Sequence, residues 1–236
     1  MSDLPDELSF HPDEFSGKAR LFPLPNLVLF PSVLQPLHVF EPRYRDLVAE
    51  ALEGDKLVAM GILAPGWEPD YEGRPPLAPV ACLGRITTCQ RMEGGRYNLL
   101  LVGLARVGLV RELPPTKSFR EAEVEVFEDH YPSKGFARRQ DLQRRLLDEF
   151  KRLLPQSGPV HEPLEQLLAA EVPLGLFTDI MAYTINLGIQ VKQQLLAERN
   201  VDQRAATLLA ALAGMSHAGP VRQPLSGGFP PDFSEN

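Results

Sequence analysis

Five prolines fall between Arg20 and Pro42: Pro23, Pro25, Pro31, Pro36 and Pro42. Proline has no backbone donor and clashes with the preceding helical turn, so this stretch cannot be a helix. Short strands at sheet edges and barrel corners tolerate it. The apolar runs between the prolines (Leu21-Phe22, Leu24, Leu27–Phe30, Leu34 and Leu37) are therefore expected as short strands. Glu41-Pro42 then opens a helix, with proline in its first turn and Glu41 as its cap. Tyr44, Leu47, Val48, Ala51 and Leu52 make one apolar face, and Gly54 stops it.

The β-rich pattern continues to about residue 130. Lys56–Leu63 reads as a buried strand. Residues 64–79 hold five prolines, two glycines and Trp67, the one tryptophan, and form a surface loop. Val80–Met92 and Arg96–Val110 read as strands joined by a tight Glu93-Gly94-Gly95 hairpin. In Phe119–Phe127, Ala122, Val124 and Val126 alternate with Glu121, Glu123 and Glu125, a dry face and a wet one.

From about Gly135 the period becomes helical. Leu142, Leu146, Phe150 and Leu153 form a stripe ending at Pro155, and Pro163 precedes Leu164, Leu167 and Leu168. Thr178 is expected to cap a helix over 179–186. Gly188 marks a break before a short helix around 191–197. Asn200 caps the last helix, whose face is Ala205, Leu208, Leu209 and Leu212. The expected class is α+β: a leader over 1–18, a barrel domain over 19–130 with one helix, a helical bundle over 131–213 and a disordered tail over 214–236.

Charge excludes some partners. With 24 basic and 31 acidic residues the net charge is −7, which argues against bulk attraction to nucleic acid or an anionic membrane. The N-terminus lacks a basic n-region and an apolar core, and no apolar run approaches the ~20 residues of a membrane span. A cytoplasmic protein with no membrane partner is expected. Cys82 and Cys89 are too few for a disulfide framework and lack zinc-site spacing, so both read as buried hydrophobes. The five histidines are scattered, and His161 lies in HEPLE, where proline breaks the helix a zinc motif needs. His38 is expected to be hydrogen-bonded within the barrel. The carboxylates Glu41 with Asp46, or Glu68 with Asp70 and Glu72, read as cap or solvated-loop groups.

Three segments carry a family resemblance: LFPLPNLVLFPSVLQPLHVFEPRYRDLV (21–48), VACLGRITTCQRMEGGRYNLLLVGLARVGL (80–109) and FREAEVEVFED (119–129). Together they resemble the N-terminal domain of Lon proteases, and residues 172–209 look like the helical bundle that follows it. The resemblance spans roughly 20–212. It implies a PUA-like β pseudo-barrel followed by an α-helical bundle, and a role in substrate recognition and assembly. The sequence departs from a full protease. Gly17-Lys18 is followed by alanine and lacks the glycine-rich nest of a phosphate-binding loop. Ser133-Lys134 is an adjacent pair in a turn, not a nucleophile and its base. The chain therefore reads as a stand-alone substrate-binding member with no ATPase, no peptidase, no metal, no cofactor and no enzymatic activity.

The leading reading is a module that binds unfolded or extended polypeptides. Barrel edge strands would pair with the client while Phe22, Phe30 and Trp67 take its side chains. Phe22 and Phe30 equally suit a core. Arg43, Tyr44 and Tyr71 complete the candidate set; Tyr44 also suits packing beneath the helix. Trp67 either anchors apolar polypeptide or folds back over the barrel mouth. A second reading is RNA binding by a basic face at Arg138, Arg139, Arg144 and Arg145, for which a salt-bridged helix face is the plainer account. A third is docking onto a separate AAA+ protease, or self-association.

Overall fold

In the computed structural model, which describes residues 10–71, 73–153 and 172–215, six strands form one sheet. They are β1 (Lys18–Leu24), β2 (Leu34–Val39), β3 (Leu57–Ile62), β4 (Val80–Arg91), β5 (Tyr97–Glu112) and β6 (Arg120–Phe127). The order is β2-β5-β4-β3-β1-β6, and a further β5–β6 pairing closes five strands into a barrel. Every pairing is antiparallel except β1 with β3. Those two parallel strands need a long crossover, and it contains β2 and the helix α1 (Pro42–Glu53).

Strand β5 is long enough to serve two neighbours along one edge. Its first half, Tyr97–Val102, pairs with β2, and Arg106–Glu112 pairs with β6. The barrel interior is filled by Ala19, Leu21, Leu57, Ala59, Ala81, Leu83, Val107, Ala122 and Val124. Small and large residues alternate there, as a narrow barrel requires. Phe10 and Phe15, 6.0 Å apart, pack against this cluster. The expected loose leader is thus docked over residues 10–17, while residues 1–9 lie outside the described ones.

Four of the five proline-punctuated runs lie in β1 and β2, but Leu27–Phe30 is in no strand. It crosses the barrel wall outside any strand, and Leu29 and Phe30 have no exposed surface. Glycine makes the crossing possible. A β-carbon on Gly103 would stand 2.0 Å from the Phe30 carbonyl oxygen. Ser32 N–H donates to the Gly103 carbonyl at 2.8 Å, and Gly103 N–H donates to Val33 at 2.9 Å. Helix α1 buries Tyr44, Leu47, Val48 and Ala51 as expected. It ends differently: Gly54 has φ −116°, and Lys56, two residues on, takes the left-handed turn at φ 60°. On β6 the wet face is incomplete, because Glu121 is buried between Lys18 (3.0 Å) and Lys117 (3.2 Å). Cys82 is buried, Cys89 is half-buried, and both are free thiols.

The first compact unit ends at Phe127 and the second begins at Glu128. The second holds α2 (Phe136–Leu153), α3 (Leu174–Thr184), α4 (Ile189–Ala197) and α5 (Val201–Ala213). The α2 stripe of Leu142, Leu146, Phe150 and Leu153 is buried in full, each side chain contributing about 1.5–3 kcal/mol. Asn200 caps α5 by accepting from the Asp202 and Gln203 N–H groups at 3.0 and 3.2 Å. Its buried face is Ala205, Leu208 and Leu212, with Leu209 half-buried. Thr178 is not a cap. Helix α3 starts at Leu174, so Thr178 lies in its second turn and donates to the Gly175 carbonyl at 2.7 Å. The expected helix after Pro163 and the tail beyond residue 215 lie outside the described residues.

The helical unit is organised around a charge. Arg204, with no exposed surface, donates to both Asp129 carboxylate oxygens at 2.8 and 2.6 Å. It also donates to Thr178 Oγ1 at 3.1 Å and the Glu198 carbonyl at 2.9 Å, and lies 3.5 Å from Asp179. The periodicity of α5 marks only its apolar neighbours. No helix among the described residues is long and apolar enough to cross a membrane.

Candidate functional site

The turn into α1 gathers four of the six candidate side chains. Glu41 has the extended backbone of a cap residue, yet its carboxylate makes no cap bond. Instead it accepts from Arg43 Nε and Nη2 at 3.1 and 2.9 Å and from Tyr71 Oη at 2.9 Å. The Arg43 guanidinium lies over two rings, 4.8 Å from Tyr44 and 4.9 Å from Tyr71, and Trp67 meets Tyr71 edge-on at 5.5 Å. Cation–π contact and the Glu41 bonds thereby strap the proline-rich loop to the helix. Burial pushes the Tyr44 hydroxyl up. Burial followed by the Glu41 carboxylate does the same to Tyr71.

Burial divides these candidates. Tyr44 and Phe22 stack at 4.1 Å beneath the surface, and the Tyr44 hydroxyl donates to the Pro23 carbonyl at 2.8 Å. Phe30 is elsewhere, sealed against Gly103. Phe22, Phe30 and Tyr44 are thus core residues, of which Phe22 and Tyr44 line a cleft beside β2. Arg43, Trp67 and Tyr71 are partly exposed.

Two of the exposed large apolar residues lie at β2. Leu34 (47% exposed) and Phe40 (43%) bracket β2, whereas Gln35 and Pro36 between them are buried. Sequence reasoning missed this because proline and glutamine occupy the inward positions. β2 stands at the end of the sheet and takes β5 as its strand neighbour. His38 Nδ1 is 2.6 Å from Asn98 Oδ1, as expected for a histidine tied into the barrel, and its ring stacks on Phe40. A shallow cleft lined by Leu37, His38, Phe40, Glu41 and Tyr44 joins β2 to the α1 turn.

Under the loop lies a cavity of about 190 Å³, with Leu21, Pro23, Leu63, Pro75 and Phe119 as apolar walls and Arg43, Arg74 and Arg120 around them. Buried Arg120 forks onto Glu112, with its Nε 3.0 Å from Oε2, and donates to the Pro75 carbonyl at 2.8 Å. Arg74 Nη2 reaches the same Glu112 oxygen at 3.0 Å. Partial burial opposes ionisation of Glu112, but the Arg120 and Arg74 bonds outweigh it and hold the carboxyl below its ordinary 4.5. Because the folded value lies below the unfolded one, Glu112 stabilises the fold above pH ~4.5 and loses that contribution as pH falls through the lowered value. Glu112→Gln is expected to flatten the pH dependence of urea-unfolding stability between about pH 5 and 3. An unchanged slope would refute the role given to this ion pair.

Of the basic candidates, Arg138, Arg144 and Arg145 are exposed. Arg139 is committed to Asp202 at 2.7 Å, to the Pro132 carbonyl and to the Tyr131 ring. Among the described residues no group of three or more His, Cys, Asp or Glu is placed to hold a metal ion.

The likenesses to known proteins agree with this geometry. The chain is 28% identical over 85% of its length to a Lon protease of Roseiflexus castenholzii. It is 28% identical over 78% of its length to a Lon protease of Dictyoglomus thermophilum. It spans about a quarter of each, 24% and 23%. The solved Lon N-terminal domain protein from Xanthomonas campestris superposes with a TM-score of 0.57 at 22% identity, covering 82% of this chain and 97% of that one. The N-terminal domain of the Mycobacterium avium complex Lon protease gives 0.65 at 15% identity, covering 84% and 98%. These two are likenesses of fold. The family model for the ATP-dependent protease La (LON) substrate-binding domain matches residues 18–214. With its five-stranded barrel and the helices that follow, the chain belongs to the Lon substrate-binding domain family.

Proposed function

We propose that this chain captures unfolded or extended polypeptide segments and performs no covalent chemistry on them. The observation that carries the reading is β2, a strand at the end of the sheet flanked by exposed Leu34 and Phe40. An extended client laid beside a strand is recognised through side-chain contacts, and exposed Leu34 and Phe40 offer two of them at the ends of β2. Phe40 leads through Glu41 to Arg43, Tyr71 and Trp67, so apolar and cationic contacts continue past the end of β2. Membership of a substrate-binding family supports the same role.

Phe40→Asp and Trp67→Ala are each expected to weaken binding of a carboxymethylated, permanently unfolded polypeptide by about tenfold, or about 1.4 kcal/mol. Trp67 is the one tryptophan, so its emission reports the titration in the parent and the Phe40 variant. Fluorescence anisotropy of a labelled client serves for Trp67→Ala. Unchanged affinity in both variants would sink the reading.

A second reading is delivery to a separate AAA+ protease, favoured by relatives that are Lon proteases about four times the matched length. It predicts an ATPase that co-purifies with the chain, or a solution mass above 26.2 kDa if the chain self-associates. The RNA reading draws less support, because Arg139 is held within the helical unit and Arg144 lies 3.5 Å from Asp141.

A further inference from the structure

We infer that the cavity beneath the 64–79 loop receives the C-terminal residue of a polypeptide, its carboxylate against the arginines and its apolar side chain against the floor. The inference rests on the polypeptide-binding reading and narrows it to one kind of client end. Size comes first. At about 190 Å³ the cavity equals roughly six waters at about 30 Å³ each, and falls below the ~300 Å³ at which pockets begin to enclose drug-sized ligands. One amino-acid residue fits a space of this size.

Charge comes second. Among the described lining residues there are three guanidiniums and no carboxylate. Glu41 holds Arg43, and Glu112 holds both Arg120 and Arg74, so Arg74 and Arg120 share one carboxylate between two guanidiniums. Arg74 is the most exposed of the three, with its side chain 35% accessible and one Nη2 bond to Glu112, so its remaining donors are turned to an arriving anion at least cost. Guanidinium and carboxylate pair through two parallel hydrogen bonds, a geometry that an internal peptide unit cannot offer.

The floor comes third. Leu21, Pro23, Leu63 and Phe119 present no charge, and the Tyr44 hydroxyl is already directed to the Pro23 carbonyl. A bare inorganic anion would leave this apolar surface in contact with water. An aliphatic side chain attached to the carboxylate covers it.

The test compares a fluorescein-labelled decapeptide ending in Ala-Leu with a free carboxylate, the same peptide as its C-terminal amide, and N-acetyl-leucine as competitor. The acid is expected to bind at least tenfold tighter than the amide. Arg74→Ala removes the cation that receives the carboxylate, and Ser118→Phe narrows the cavity from its lining. Each is expected to erase the acid–amide difference, with thermal unfolding midpoints confirming that the variants fold. Equal binding of acid and amide, no binding of either, or a difference that survives in both variants overturns the inference. N-acetyl-leucine binding as tightly as the peptide overturns the assignment to a polypeptide end. Client capture that depends on Phe40 and Trp67 but shows no acid–amide difference sinks this inference alone. An acid–amide difference without any effect at Phe40 and Trp67 sinks the edge-strand reading alone.

Discussion

Replacing Arg204 by alanine is expected to unfold the helical unit under conditions where the parent chain is folded. The side chain is 1% exposed, and its carboxylate partners Asp129 and Asp179 are 25% and 3% exposed. Removing one member of a buried ion pair leaves the other charge without compensation, at a cost of about 3–5 kcal/mol. Here Asp129 and Asp179 both lose the guanidinium, and Thr178 loses a donor as well. That loss is a large share of the 5–15 kcal/mol by which most domains are stable. Arg204→Lys keeps the charge but cannot reach both Asp129 oxygens and Thr178 in the same fork, so it is expected to fall between parent and alanine. Amide exchange in α2, α3 and α5 reads the effect directly. Parent-like protection in Arg204→Ala would show that the cluster contributes nothing net.

The second large effect is expected at Gly103. Alanine there places a β-carbon 2.0 Å from the Phe30 carbonyl oxygen and 2.8 Å from its carbon, both backbone atoms. No rotamer change relieves that contact. The Leu27–Phe30 segment must move off the barrel wall, which disturbs the Ser32–Gly103 and Gly103–Val33 hydrogen bonds. Overpacking of this kind costs about 3 kcal/mol, and a shift of about 4–8 °C per kcal/mol lowers the midpoint of a barrel this size by more than 10 °C. Gly188→Ala is the control, since nothing lies within 4 Å of its added β-carbon and its φ is −57°. Its midpoint is expected within a few degrees of the parent. A Gly103→Ala protein as stable as that control would refute the close crossing.

Gly103 also marks how far the sequence could be read. Val-Gly-Leu-Ala-Arg after an apolar run contributed to the family resemblance, but the reason for its glycine appears only when Phe30 crosses β5. Strand positions and α1 were legible because proline, hairpin glycines and apolar spacing are local signals. The start of α3 was not. Leu174-Gly175-Leu176-Phe177 carries a poor helix former in its first turn. Gly175 is there because Asp129, Tyr131 and Arg204 atoms stand 2.3–2.9 Å from where its β-carbon would be. Arg204 itself interrupts an apolar face and reads as a misplaced surface charge until Asp129, seventy-five positions away, is brought to it. At the candidate site, Arg43, Tyr71 and Trp67 were singled out by residue type, but their assembly through Glu41 is tertiary. Arg74, Arg120 and Glu112 gave no signal, because separate charges on a loop and two strands look like ordinary solvated surface.

The closing strand of the barrel has a consequence for the chain while it is being made. Lys18 lies opposite Glu123, so β1 finds one of its two neighbours only after β6 has left the ribosome. At roughly 5–20 residues per second, the intervening hundred or so residues take on the order of 5–20 s to synthesise. During that interval the β3-β4-β5 meander can assemble from near neighbours, while β1 and the second half of β5 wait with unsatisfied backbone. Non-local pairing of this sort slows folding and invites pairing with other chains. For those first seconds the chain is itself an extended polypeptide whose β1 lacks one of its two neighbours, and β6 is the clasp that closes it.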